Sequence, residues 1–319
     1  MTRRDSLLAA VVASVWGFNF VVIDWGMGDV PPLLFAAIRF TLVALPACFL
    51  VPRPAAPWRT VVAVGTFMSL GQFGLLYASM HAGMPPGLAA LVLQAQVVLT
   101  VVIASGVLRE RPSAAQVGGV LLGAVGLLIV GLGRGGHVPL GALLLCLAAA
   151  LSWAIGNVVS RAARLTGGGL SLTVWSAFVV PVPLLLLSLL LDGPGAVGDG
   201  FAAFGWHAAL STLYTAALAS LVGYGIFNTL LARNPSAAVV PWVLLAPVVA
   251  AATAWPLRGE RPTLAEVSGG LLLIVGVLVA QGVVSARAGR WPGRRSDRSP
   301  STASPSRAPE PAPPRPAER

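Results

Sequence analysis

Three aromatic–amide pairs stand out in a chain otherwise poor in reactive side chains. Trp16 and Asn19 are three residues apart, while Trp153/Asn157 and Tyr224/Asn228 are four apart. On a helix these spacings put ring and amide on one face. That combination suits a small zwitterion: an ammonium sits against the ring, and an amide both donates and accepts. Gln72, Gln94 and Gln96 add further amides. Gln94 and Gln96 are two residues apart, so about 200° separates them on a regular helix and both cannot face one cavity squarely. The alternative role for all these amides is bonding to neighbouring helices, worth about 0.6 kcal/mol on average.

None of these groups is a nucleophile or a general acid, so the chemistry they offer is recognition. The chain has no Walker-A glycine loop and neither the zinc-protease nor the serine-hydrolase signature. His81, His137 and His207 show no metal-ligand spacing, and no metal or cofactor is expected. Cys48 and Cys146 fall inside apolar stretches and read as small lipid- or core-facing residues. Asp24 and Arg39 are charges near the outer side of their stretches. Pairing or snorkelling is the first reading; contact with substrate at an external mouth, or a coupling role, is the second.

The elements that must position these groups are ten apolar stretches, at roughly 7–27, 32–51, 60–80, 87–107, 114–133, 139–160, 170–191, 207–231, 236–257 and 263–285. About 20 apolar residues span the hydrocarbon core as a helix, and in lipid the helix pairs its own backbone. The chain is 56% hydrophobic and 10% charged, against about 25% charged in soluble domains. A membrane-embedded enzyme would need His, Asp or Glu clustered at one membrane face, and the sequence shows none. An interaction protein remains the other non-transport reading. All 21 basic residues are Arg, so the net charge of +10 reads partly as genomic bias and not as a nucleic-acid signature. Nine loop Arg on the side of the N-terminus, against Arg134, Arg258 and Arg261 opposite, place both termini in the cytoplasm. Thr2–Ser6 opens an uncleaved first helix in this reading, and residues 286–319 form a disordered Arg/Pro/Ser-rich tail near lipid headgroups.

The chain repeats itself. Glu110-Arg111-Pro112-Ser113 and Gln116 match Glu260-Arg261-Pro262-Thr263 and Glu266 at an offset of 150, which also aligns Pro85 with Pro235 and Gly126 with Gly276. A repeat of five spans is odd, so the second copy enters the membrane from the opposite face. The expected fold is an all-α membrane protein of ten transmembrane helices arranged as two inverted five-helix repeats, 1–135 and 136–285. Inverted repeats place a substrate site near the midplane between them and alternate access by rocking. Gly119-x-x-x-Gly123 and Gly276-x-x-x-Ala280 predict close packing of the last helix of each repeat within one chain, in preference to dimerisation, so a monomer is favoured. Glu266 is expected to serve its own helix N-terminus, and Glu110 and Glu260 read as structural loop charges.

These features resemble the EamA family of the drug/metabolite transporter superfamily. The runs Trp16-Gly17-Phe18-Asn19, Met84-Pro85-Pro86-Gly87 through Gln94-Ala95-Gln96, and Val222-Gly223-Tyr224-Gly225 resemble its O-acetylserine/cysteine exporter branch. The resemblance covers essentially everything before the tail. It implies an inner-membrane efflux carrier for small amino-acid metabolites. Another EamA solute, an aromatic amino acid or drug-like compound, is the nearest rival. Asp24 departs from the branch, which would have a basic residue there. The candidate pathway residues are then Trp16, Asn19, Gln72, Gln94, Gln96, Trp153, Asn157, Tyr224 and Asn228.

Overall fold

The computed structural model describes residues 1–109, 111–133, 138–163, 169–234 and 236–280. The side chain of Cys48, together with Glu110, Arg134, His137, Arg164 and the 286–319 tail, lies outside the described residues. Those residues form ten helical passes: α1 Arg3–Met27, α2 Pro32–Leu50, α3 Trp58–His81, α4 Pro86–Val107, α5 Ala114–Gly133, α6 Leu140–Ala162, α7 169–191, α8 206–233, α9 236–258 and α10 Leu264–Ala280. These match the apolar stretches to within a few residues. The segment between the seventh and eighth apolar stretches is more than a loop. It holds a short helix, Gly193–Ala202, started by a proline in its first turn and seated by Val197 and Gly200 against the α2 entry. Proline fixes φ near the helical value and lacks an N–H that the first turn could not have used, a start signal hidden by the surrounding glycines.

The packing obeys one exchange rule. α1 lies against α8 and α9, as α6 lies against α3 and α4; α2 meets α7, α4 meets α9 and α5 meets α10. Exchanging α1–α5 with α6–α10 in order returns the same set of neighbours. The deviations from regular helix repeat too. α3 carries a π-helical stretch at Gly65–Gly71 and α8 one at Tyr214–Val222. α4 tightens at Leu93 and Gln94, and α9 is 3-10 over Val240–Leu244. Such irregularities recur at functional sites. Here all four lie in helices that pack across the two halves.

Helix ends follow local chemistry. Thr2 and Asp5 form a capping box on α1. Ser113 and Gln116 repeat it on α5, and Thr263 and Glu266 on α10, where the Glu266 carboxylate accepts the Thr263 N–H at 2.8 Å. The reading of Glu266 as a helix-terminus residue therefore holds. The matched loop motifs are in part matched caps. Trp25, Trp58, Trp206 and Trp255 are exposed at span ends, as interfacial rings should be.

α5 and α10 meet backbone to backbone. A Cβ on Gly276 would lie 2.6 Å from the Gly119 carbonyl oxygen and the Gly123 nitrogen, and one on Gly269 2.6 Å from the Gly126 oxygen. The small-residue pairs thus serve packing within the chain, where close approach replaces the hydrophobic drive that lipid cannot supply. Gly276→Val is expected to destabilise the detergent-solubilised protein by about 1–3 kcal/mol, read as a lower midpoint in thermal unfolding. Gly118→Ala, which meets open space, is expected to leave the midpoint unchanged.

Candidate functional site

The core where the halves meet contains a cation. Arg39, near the middle of α2, is 3% exposed. Its Nη1 donates to the Tyr77 hydroxyl at 3.0 Å and its Nη2 to the Ser220 hydroxyl at 3.3 Å. The guanidinium carbon lies 4.3 Å from the centre of the Phe73 ring and 5.1 Å from that of Phe40. Nε is buried with no partner. Among the described residues no carboxylate forms an ion pair with Arg39. A charge at mid-membrane costs about 2.5–3.5 kcal/mol on insertion scales; hydroxyls and rings offset part of that and leave a net positive site.

Beside it stands an aromatic wall. The Trp16 ring packs 5.1 Å from Tyr224 and 5.2 Å from Phe227, and its indole N–H donates to the Ala219 carbonyl at 2.8 Å, inside the α8 π-helical stretch. Gly223 is required there, since a Cβ would come within 2.7 Å of the indole nitrogen. The Ala219 carbonyl that receives the indole is next in sequence to Ser220, which accepts from Arg39, so ring and guanidinium meet adjacent positions of α8. The α1 and α8 ring–amide pairs are thereby brought together: Trp16 touches Tyr224 across the interface between halves.

The amides divide into two groups. Asn157 donates to the Gln96 side-chain oxygen at 2.8 Å and to the Thr100 hydroxyl at 3.3 Å, which ties α6 to α4. Trp153 packs on the main core. These two amides have the helix-bonding arrangement. The Asn19 side-chain oxygen and the Asn228 amide nitrogen are buried without partners, and Gln72 and Gln94 are buried. Gln94 sits in the tightened turn of α4, where the Gln96 N–H bonds back to Leu93 and the Val97 N–H to Gln94. The regular 200° separation of the two glutamines therefore does not apply.

Charge at the end away from the N-terminus is arranged differently from the sequence reading. Asp24 does not pair with Arg39. It pairs with Arg258 of α9 at 2.5 Å, while Arg39 lies deep between Tyr77 and Ser220. Register explains this: Asp24 ends α1 beside the end of α9, whereas Arg39 lies two helical turns into α2. Glu260, read as a loop charge, is half-buried and accepts the Gly87 N–H at the start of α4 at 3.1 Å; its other oxygen is unpartnered. Both contacts join one half to the other. The repeated Glu-Arg-Pro signal marked this residue, but its partner on α4 is 173 positions away in sequence.

Two apolar grooves flank the bundle. One of about 590 Å³ runs between Leu88 and Leu91 of α4 and Ala251 of α9, with Glu260 at its edge; the other, about 780 Å³, lies along Val21, Trp25 and Tyr214. Neither reaches Arg39. Arg39 itself is buried, at 3% exposed.

Burial pushes the Glu260 carboxyl up to about 7 from its ordinary 4.5; the Gly87 N–H opposes this, Asp24 and Glu266 add to it, and Arg258 opposes it. The folded protein then holds this proton between about pH 4.5 and 7 while the unfolded chain releases it, so stability falls as pH rises through that window. Glu260→Gln keeps an acceptor for Gly87 and removes the charge. The variant is expected to melt above the wild type at pH 8 and level with it below pH 4.5, measured by thermal unfolding across pH.

Comparison with known proteins adds the following. The model of the EamA-like transporter family matches residues 5–132 and 140–281. A protein of Salmonella typhimurium named a probable amino-acid metabolite efflux pump is 40% identical over 284 residues, 88% of this chain and 95% of its own length. Its Escherichia coli K12 namesake is 39% identical over the same shares. A probable terminal-alkyne amino-acid exporter of Streptantibioticus cattleyicolor is 28% identical, covering 88% of this chain and 98% of that protein. A crystal structure 21% identical in sequence superposes with a TM-score of 0.58 over 92% of this chain and all of the other, which supports the fold.

Proposed function

The chain belongs to the EamA-like transporter family, and from that premise we propose that it exports small amino-acid metabolites, of the O-acetylserine and cysteine kind, across the inner membrane by alternating access. The observation that carries this reading is a group of buried polar atoms without partners in the spans, among them the Asn19 oxygen, the Arg39 Nε and the Asn228 nitrogen. A buried polar atom without a partner costs about 1–3 kcal/mol, and a polar solute that supplies the missing bonds recovers that cost on binding. The Salmonella and E. coli relatives are named probable amino-acid metabolite efflux pumps, which supports the solute class.

In this reading residues 1–135 and 136–285 are the two repeats that rock, the 286–319 tail is cytoplasmic with the N-terminus, and the working unit is a monomer in lipid. Trp16, Asn19, Gln72, Gln94, Tyr224 and Asn228 line the pathway. Gln96, Trp153 and Asn157 hold its far wall. The aromatic set around Trp16 favours one alternative within the same family, an exporter of a larger aromatic or apolar amino acid.

Purified protein in liposomes is expected to move labelled O-acetylserine and cysteine saturably, with a pH gradient applied or withheld to reveal coupling. Asn19→Leu is expected to cut the rate at least tenfold without lowering the unfolding midpoint, because it removes an unpaired buried group. Asn157→Leu is expected to lower the midpoint by leaving Gln96 unpaired. Equal rates for wild type and Asn19→Leu would remove Asn19 from the pathway; no movement of either solute above empty liposomes would overturn the substrate assignment.

A further inference from the structure

We infer that Arg39, cradled by Phe73, Tyr77 and Ser220, is the site that takes the carboxylate of the transported amino acid. The inference rests on the amino-acid export reading and names the group within the solute that the protein recognises.

Three observations carry it. The first is charge. The described carboxylates Asp24, Asp29, Asp192, Asp199, Glu260 and Glu266 belong to the end away from the N-terminus, and Asp5 to the N-terminal end. None forms an ion pair with Arg39, so its charge has no carboxylate partner among the described residues. An entering anion would supply what the protein withholds. The second is hydrogen-bonding capacity. The guanidinium has five donors in a planar fork. Two are engaged by neutral hydroxyls, and the Nε donor is buried and unpartnered. A carboxylate accepts two parallel bonds from such a fork, with bonds roughly twice as strong as those to neutral acceptors. The third is position. The cradle draws on both halves: Phe73 and Tyr77 come from α3 and Ser220 from α8. A bound carboxylate that displaces the Ser220 hydroxyl would loosen one contact across the interface and so favour movement of one half against the other.

The neighbours fit the rest of a zwitterion. Tyr224 follows the Arg39 partner Ser220 by one helical turn and packs 5.1 Å from Trp16, and such rings attract an ammonium. The Asn19 oxygen on α1 is a buried acceptor with no donor. An α-amino acid carries both charges on one carbon, so recognition of its carboxylate at Arg39 sets the ammonium towards this wall and leaves the side chain less constrained. That would suit a carrier for several amino-acid metabolites that share a backbone.

The test uses purified full-length protein and matched solutes. In liposomes loaded with L-cysteine, uptake of labelled L-cysteine is competed by unlabelled L-cysteine, by its methyl ester, and by cysteamine, which lacks the carboxylate. Thermal unfolding in detergent with the same compounds reads binding independently of transport. Wild type is expected to prefer cysteine over both analogues at least tenfold. Arg39→Gln is expected to lose that preference. Arg39→Lys, a point charge without the fork, is expected to bind about tenfold more weakly while still favouring the carboxylate; it also serves if the Gln variant does not fold. Cysteine-dependent stabilisation that requires Arg39, without transport, would uphold the site and remove the export reading. Competition by cysteamine equal to that by cysteine in wild type, or an undiminished preference in a folded Arg39→Gln protein, would overturn the inference.

Discussion

Hydrocarbon leaves a polar group no partner except another part of the protein. That constraint shapes the whole chain. It makes every span a helix, because only a helix pairs its own backbone in lipid. It also makes each buried side-chain amide or charge informative, because an unpaired group is a standing cost. Several hydroxyls in the spans meet the constraint on a backbone carbonyl, either one turn back, as with Thr100 on Gln96 at 2.6 Å, or on a neighbouring helix, as with Ser79 on Ala142 at 2.6 Å and Ser211 on Val22 at 2.7 Å. The exceptions among the described residues are the Asn19 oxygen, the Arg39 Nε, the Asn228 nitrogen, the Thr212 and Thr215 hydroxyls and one Glu260 oxygen.

The periphery and the centre of the bundle are built differently. α5 and α10 are locked by glycines at backbone contact, an arrangement with little room to slide. The central helices contain π-helical and 3-10 stretches at equivalent places in the two repeats. A π-helical stretch shifts the register of side chains that follow it and leaves hydrogen bonding less regular. The Ala219 carbonyl that receives the Trp16 indole lies in such a stretch. Rigid outer pairs and irregular inner helices make a frame within which two halves can rock around a fixed polar centre.

Much of this was legible in the sequence. Apolar length gave the passes, the Glu-Arg-Pro repeat gave the two halves, and the Gly119/Gly123 and Gly276/Ala280 spacings gave the pairing of α5 with α10. The Ser113/Gln116 and Thr263/Glu266 caps were equally local. What escaped was long-range. The ring–amide spacing of Trp153/Asn157 is as good as that of Tyr224/Asn228, yet Asn157 finds Gln96 while the Asn228 nitrogen finds nothing. Arg39 looked like a span-margin charge because its hydroxyl partners, Tyr77 and Ser220, are 38 and 181 residues away. Helix periodicity cannot report such partners. Nor could it place the Asp24 partner on α9.

Alternating access by rocking requires the halves to part at the end joined by Asp24–Arg258 and by Glu260 on the Gly87 N–H. The most direct measurement starts from a protein with Cys48 and Cys146 replaced by alanine and with cysteines at positions 24 and 258. Transport is followed in liposomes before and after bridging that pair with a short reducible thiol crosslinker. Rocking about the polar centre requires that bridging stop net movement of solute and that reduction restore it. Undiminished transport with the bridge fully formed would contradict the rocking mechanism.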